Sequence, residues 1–218
     1  MIFKNRDDAA GRLAEVLAPW LGTNPLVLAI PRGAVPMAAR IAEALDGDLD
    51  VVLVHKIGAP GDPEHAIGSV SEAGQVFPGP EALRGGADLD HVEREVAVQR
   101  KLMAARRKRY TPACPPIPTR GRNVIVVDDG LATGFTMIAA LRTLRAHRPA
   151  RLVAAVAVAP PDTLDRVRSL ADDVVCLESP EPFFAVGRFF VDFSEVSDAE
   201  VVRVLKEFRT GRARRAAG

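Results

Sequence analysis

Residues 124–136 read Val-Ile-Val-Val-Asp-Asp-Gly-Leu-Ala-Thr-Gly-Phe-Thr. The four leading residues are all β-branched, and an unbroken apolar run of this kind suits a strand buried on both faces, as in a parallel sheet. Two acids end the run. Gly130 and Gly134 then permit tight or left-handed turns, and a helix is expected from Thr136 to Ala146. A buried strand that turns through glycines straight into a helix is half of a strand–helix–strand crossover, so this segment alone points to an α/β fold.

The rest of the chain repeats the pattern. Short apolar runs at 26–30, 51–54, 123–127, 152–158 and 174–177 read as strands of one parallel sheet, with helices on both faces. Asp7 or Asp8 is expected to cap a first helix that ends near Leu17, with Leu13, Val16 and Leu17 on its apolar face. Residues 58–120 interrupt the alternation and read as an insertion. It holds a turn-rich loop, a hairpin from 66–71 and 75–77, and a charged helix from Asp88 to Tyr110. That helix ends in Arg106-Arg-Lys-Arg109, which favours the negative end of the helix dipole without any ligand. Pro112, Pro115, Pro116 and Pro118 make an extended linker. Ser197-Asp-Ala-Glu200 is a capping box that opens a last helix to about Phe208, and the basic run 209–215 reads as a disordered tail. A single domain, 1–218, is expected.

Several function classes are disfavoured. Lys plus Arg number 29 against 28 Asp plus Glu, a net charge of +1, so no global field draws the chain to nucleic acid or membrane. Cys114 and Cys176 have no metal-site or disulfide spacing. No stretch reaches the ~18 apolar residues of a membrane span, and Met1–Asp8 lacks an apolar signal region. The expected location is cytoplasmic.

Ligands of such sheets bind at the carboxyl ends of strands. Three breaks lie at such ends: Pro31–Gly33, His55–Gly58 and Asp128–Gly134. At the third, Asp128 and Asp129 can accept hydrogen bonds from vicinal hydroxyls. The amides of Gly130, Leu131, Ala132, Thr133 and Gly134, with the positive end of the next helix, can hold an anion. Thr133 and Thr136 add hydroxyls. One phosphate beside two hydroxyls describes a ribose 5-phosphate group. The plain alternative is a turn whose aspartates only cap the helix. Neither a Gly-x-x-x-x-Gly-Lys-Ser/Thr loop nor a Gly-x-Gly-x-x-Gly turn after a strand is present.

Val124–Thr136 resembles the phosphoribosyl pyrophosphate signature of the type I phosphoribosyltransferases. Pro31-Arg-Gly-Ala-Val-Pro36, the stretch from Lys56-Ile-Gly58 to Ala66-Ile-Gly68, and Pro180-Glu-Pro-Phe-Phe-Ala-Val-Gly187 are similar to motifs of a bacterial subgroup of unassigned substrate. The likeness covers nearly the whole chain apart from the basic tail. It implies the type I phosphoribosyltransferase fold with a C-terminal hood. It also implies Mg²⁺-dependent transfer of a phosphoribosyl group from 5-phosphoribosyl 1-pyrophosphate (PRPP) to a nitrogen acceptor, with pyrophosphate released. Asp128 and Asp129 would hold the ribose, 130–134 and Thr136 the 5-phosphate, and Pro31, Arg32, Gly33 and Lys56 the pyrophosphate. Arg32, Lys56 and the acid pair are the catalytic candidates, and Mg²⁺ would be held mainly by substrate and water.

Other features stay open at this level. Arg32 and Lys56 would look the same as ordinary surface cations. Gly58–Gly74 is the candidate for a mobile loop that excludes water. His55 and His65 flank it and are candidates for acid/base work, or are polar surface residues. Glu64 and Glu72 are placed by nothing. Phe183, Phe184, Phe189, Phe190 and Phe193 suit a platform for a base or packing under the last helix. Gly130 departs from the family's commoner β-branched residue. A homodimer pairing through the helix 88–110 is expected. A non-catalytic PRPP- or nucleotide-binding regulator and a phosphoribosyl hydrolase are the rival readings on the same fold.

Overall fold

The structure, a computed structural model, describes residues 2–79 and 88–217, without the side chains of 63–65 and 216–217. Strands β1 (Leu26–Ala29), β2 (Asp48–Val51), β6 (Asn123–Asp128), β7 (Arg151–Val158) and β8 (Asp173–Glu178) form a sheet of order β2-β1-β6-β7-β8. Every neighbouring pair in it is parallel. Strand periodicity sends alternate residues to opposite faces. Val27, Ala29, Ile125, Val127, Val153 and Ala155 face one apolar cluster. Leu26, Leu28, Val124, Val126, Leu152 and Ala154 face another. Helices α1 (Arg6–Val16), α2 (Ala34–Ala44) and α6 (Asp198–Ala217) cover the first face, and α4 (Phe135–Ala146) and α5 (Pro161–Arg168) the second. The uninterrupted apolar runs are thereby explained.

The expected strand 51–54 is two strands. The chain leaves the parallel sheet after Val51 and starts β3 (Val54–Ala59), which pairs with β4 (Asp62–Ser71) and β5 (Val76–Pro78) in a separate antiparallel sheet. Val52 still donates to the Ala29 carbonyl, and the Leu53 carbonyl accepts from Glu72. Both residues are buried. An apolar pattern does not separate a strand from a buried corner, because both must hide their side chains. The expected loop 58–74 is largely this hairpin. Ala59 pairs with Asp62, so Pro60-Gly61 makes the turn, with Gly61 at φ 78°. The hairpin 66–71/75–77 is present as β4 and β5. Helix α3 (Leu89–Tyr110) is capped by Asp88, whose side chain accepts from the Asp90 amide.

Two helix ends differ from expectation. Asn5, not Asp7 or Asp8, caps α1. Its side chain accepts from the Asp8 amide at 2.9 Å, and Asp8 accepts from the Lys4 amide at 3.0 Å. This reciprocal pair satisfies two end donors at once. Leu13 and Leu17 are buried, but Val16 is exposed. At the other terminus the Glu200 amide donates to Ser197 as the capping box requires. The helix then runs through the basic stretch to Ala217. Arg212 explains the extension: its guanidinium bonds Asp46, the Gly47 carbonyl at 2.6 Å and Asp48 at 3.0 Å. Among the described residues no helix is long and apolar enough to cross a membrane.

Candidate active site

β1 and β6 are adjacent and in register from Leu26–Val124 to Ala29–Val127. Their carboxyl ends therefore deliver Pro31–Gly33 and Asp128–Gly134 to one place. The peptide joining Pro31 to Arg32 is cis. A Cβ on Gly33 would collide with Oδ2 of Asp129 and come within 3.1 Å of the Arg6 guanidinium. Gly33 is thus required by the acid pair, a contact between segments almost a hundred residues apart.

The acid pair sits largely inside the protein. Asp128 accepts a bond from the Asp129 amide at 2.9 Å. Burial, then the neighbouring Asp129 carboxylate, push Asp128 well above the usual carboxylate range. Burial also raises Asp129, against the pull of Arg6. Arg6 donates to Oδ2 of Asp129 from Nε at 2.9 Å, and its Nη2 lies 2.9 Å from the same oxygen as an ion pair. No sequence signal marked Arg6. It stands in a charged N-terminal stretch where any residue reads as solvated.

The loop 130–134 is held by its back. A Cβ on Gly130 would meet Val186 at 2.6 Å and Val158 at 2.9 Å, which is why the β-branched residue common in the family is absent here. Leu131 is buried and donates to the Val158 carbonyl at 2.9 Å. The Ala132 carbonyl accepts from Thr163 at 2.9 Å and the Thr133 carbonyl from Arg166 at 3.0 Å. Because a trans peptide opposes its C=O and N–H, the amides of Thr133 and Gly134 face the opposite, open side. Gly134 has φ 73° and is the N-cap of α4, with Thr163 so close that a Cβ would clash at 2.6 Å. Ala132 and Thr133 are exposed, and Thr136 lies half-buried in the first helical turn. Thr163 and Arg166 are the parts of this cradle that the sequence did not announce.

The other candidates separate. Arg32 pairs with Glu195 from the C-terminal segment. Lys56 is not at the end of a core strand: it lies within β3, opposite Ser69 in the antiparallel sheet. His55 is packed between Gln99 at 2.8 Å and Arg106 at 2.7 Å, and burial lowers its pKa. Glu72 is engaged by Arg107 through both carboxylate oxygens. The side chains of Glu64 and His65 lie outside the described residues. The phenylalanines divide: Phe190 is buried against Phe3 and Phe193, Phe183 stacks on Phe189, and Phe184 is 70% exposed beside Arg188. Among the described residues no group of three or more His, Cys, Asp or Glu side chains gathers as a metal site. The acid pair offers hard carboxylate oxygens, a donor set that fits Mg²⁺ sharing its shell with substrate and water. An open cavity of about 500 Å³ is lined by Asp50, Glu72, Arg107 and Thr143. It includes none of these loops, so convergence of strand ends, not depth, marks the site.

A parallel sheet with an acid pair, a glycine loop and an arginine loop at adjoining strand ends is the framework of the type I phosphoribosyltransferase fold. The profile of the phosphoribosyl transferase domain matches residues 7–193, and the chain belongs to that family. It is 40% identical over 208 residues to proteins of Mycobacterium tuberculosis strains CDC 1551 / Oshkosh and H37Rv that are described provisionally as phosphoribosyl transferases. The match takes in 94% of this chain and 46% of each relative, so the chain spans about half the length of those proteins. The crystal structure of TT1426 from Thermus thermophilus shares 46% identity, covering 95% of this chain and 99% of that one, with a TM-score of 0.81.

Proposed function

We propose that the chain transfers a phosphoribosyl group from PRPP to a nitrogen acceptor in a Mg²⁺-dependent reaction that releases pyrophosphate. The observation that carries this reading is the contact of Gly33 with Asp129. It sets an acid pair, a phosphate-sized amide loop and an arginine loop side by side.

Asp128 and Asp129 accept hydrogen bonds from the ribose hydroxyls. The amides of 130–134, the N-terminus of α4 and the hydroxyls of Thr133 and Thr136 hold the 5-phosphate. Breaking the bond from the anomeric carbon leaves positive charge on the sugar, beside the acids, and negative charge on pyrophosphate. Arg32, released from Glu195, and the backbone amides of the loop Pro31–Gly33 stabilise that leaving group. Mg²⁺, held mainly by substrate and water beside Asp128 and Asp129, would supply charge neutralisation there. Phe184 offers an exposed aromatic face for a planar acceptor. Lys56 is left out of this machinery, since its expected place at a core-strand end is taken away. Pairing as a homodimer is proposed through α3, where Val98 and Leu102 are exposed one turn apart, and light scattering on the purified chain checks it.

Calorimetric titration of PRPP with Mg²⁺, followed by pyrophosphate release across a panel of nitrogen bases, tests the proposal. Binding with base-dependent release is expected. Binding without release for any base points to a regulator, and no binding removes the reading.

A further inference from the structure

Arg6 is the first residue of α1, and its backbone is fixed from two sides. Asn5 caps the helix, and residues 3–4 run alongside 189–192: Phe3 donates to the Phe189 carbonyl at 2.7 Å, and the Phe3 and Lys4 carbonyls accept from Val191 and Asp192 at 2.9 and 3.0 Å. From this fixed base the side chain, 14% exposed, reaches three groups on two elements. Nε donates to one oxygen of Asp129, and Nη2 pairs with the same oxygen. Nη1 donates to the Ser194 carbonyl at 2.7 Å. The guanidinium face lies 3.9 Å from the centre of the Phe193 ring, a cation–π contact. Ser194 precedes Glu195, the partner of Arg32. The two arginines beside the site are thus held by consecutive residues of one C-terminal segment.

We propose that Arg6 is a positioning residue that joins the sugar-binding carboxylate Asp129 to segment 192–196, so that occupation of the acid pair and the placement of that segment are coupled. The proposal rests on the ribose-phosphate reading of the site. Only a planar fork bonds in these directions at once: the ammonium of a lysine carries the charge but does not span Asp129, Ser194 and the Phe193 face together. Coupling of this kind is reciprocal. Disturbing Asp129 must loosen the segment, just as disturbing Arg6 must weaken the sugar site.

The test uses Arg6→Met, Arg6→Lys and Asp129→Asn in the full chain, with amide hydrogen exchange and calorimetry. Without ligand, all three variants should speed exchange at Asp192 and Ser194 by about tenfold, the equivalent of one charge-assisted hydrogen bond, while β6 and β7 keep their protection. Arg6→Met and Arg6→Lys should weaken ribose 5-phosphate about tenfold and leave inorganic phosphate, which needs only the loop, unchanged. Equal losses for both ligands mean a merely structural role and overturn the proposal. So does unchanged exchange at 192–194 in Asp129→Asn. If the unmodified chain binds no ribose 5-phosphate, the proposed function fails, and exchange in the three variants still decides whether Arg6 couples the two elements.

Discussion

At the residue scale the acid pair is a liability that the fold tolerates. Burial and mutual repulsion raise Asp128. The native state therefore holds a proton where the unfolded chain, with its ordinary value of 3.8, has released it. Stability from this group falls as pH climbs from 3.8 to the raised value and stays low above it. Asp128→Asn keeps the acceptor for the Asp129 amide and removes the charge. It should stabilise the protein near neutral pH, with the gain vanishing below pH 3.8. Urea unfolding at several pH values reads this directly, and a destabilised variant at pH 7 contradicts it. Combining Asp128→Asn with Asp129→Asn should abolish ribose 5-phosphate binding in a folded chain, as calorimetry and circular dichroism together would show. Unchanged affinity would remove the acids from the sugar site. Arg32→Ala should weaken PRPP more than ribose 5-phosphate, because only PRPP carries the pyrophosphate. Equal losses would take Arg32 out of that role.

At the element scale the signals in the sequence differed in how local they were. Strands β1, β6 and β7 were legible because a strand buried on both faces must be apolar throughout, while β8, a half-exposed edge strand, was legible from its apolar run Val174–Leu177. The loop 130–134 was legible because Gly134 takes a left-handed angle that glycine adopts without cost. The boundary between β2 and β3 was hidden by a corner as apolar as the strands it joins. The end of α6 was hidden for the opposite reason. Its basic residues look solvated, yet Arg212 docks on Asp46, Gly47 and Asp48 at the start of the edge strand β2. Arg212→Ala should lower unfolding free energy by about 1–2 kcal/mol and fray α6 beyond Phe208. Thermal melts and amide exchange over 209–217 would register both, and a variant with native stability would leave the helix extension without its anchor.

At the scale of the molecule, two sheets are pinned together by one cationic side chain. Arg107 on α3 forks onto Glu72 between β4 and β5, reaches the Val51 carbonyl at 3.3 Å and lies 3.6 Å from Asp50. Asp50 is buried in β2 and also accepts from the Ile117 and Val51 amides. Arg107→Met keeps the stem and deletes the charge, leaving two carboxylates near each other without their shared cation. It should cost about 3 kcal/mol. Arg107→Met with Asp50→Asn and Glu72→Gln should recover part of the loss, which a full set of denaturation curves would reveal. No recovery would mean that packing, not charge, joins the sheets.

The sequence by itself determined the features that arise between neighbours along the chain: the parallel sheet, the strand–loop–helix at 124–136, the capping residue of α6, and the family. Periodicity, capping and glycine chemistry act within a few residues, and a linear pattern records them. Only the tertiary structure decided which charges meet. Arg6 and Asp129 are 123 positions apart, and Arg32 and Glu195 are 163 apart. A salt bridge leaves no periodicity in either partner's segment, because its geometry is set by how whole elements pack. The acids and the loop could therefore be read from the chain, while the arginine that holds them in place could be found only where the chain folds back on itself.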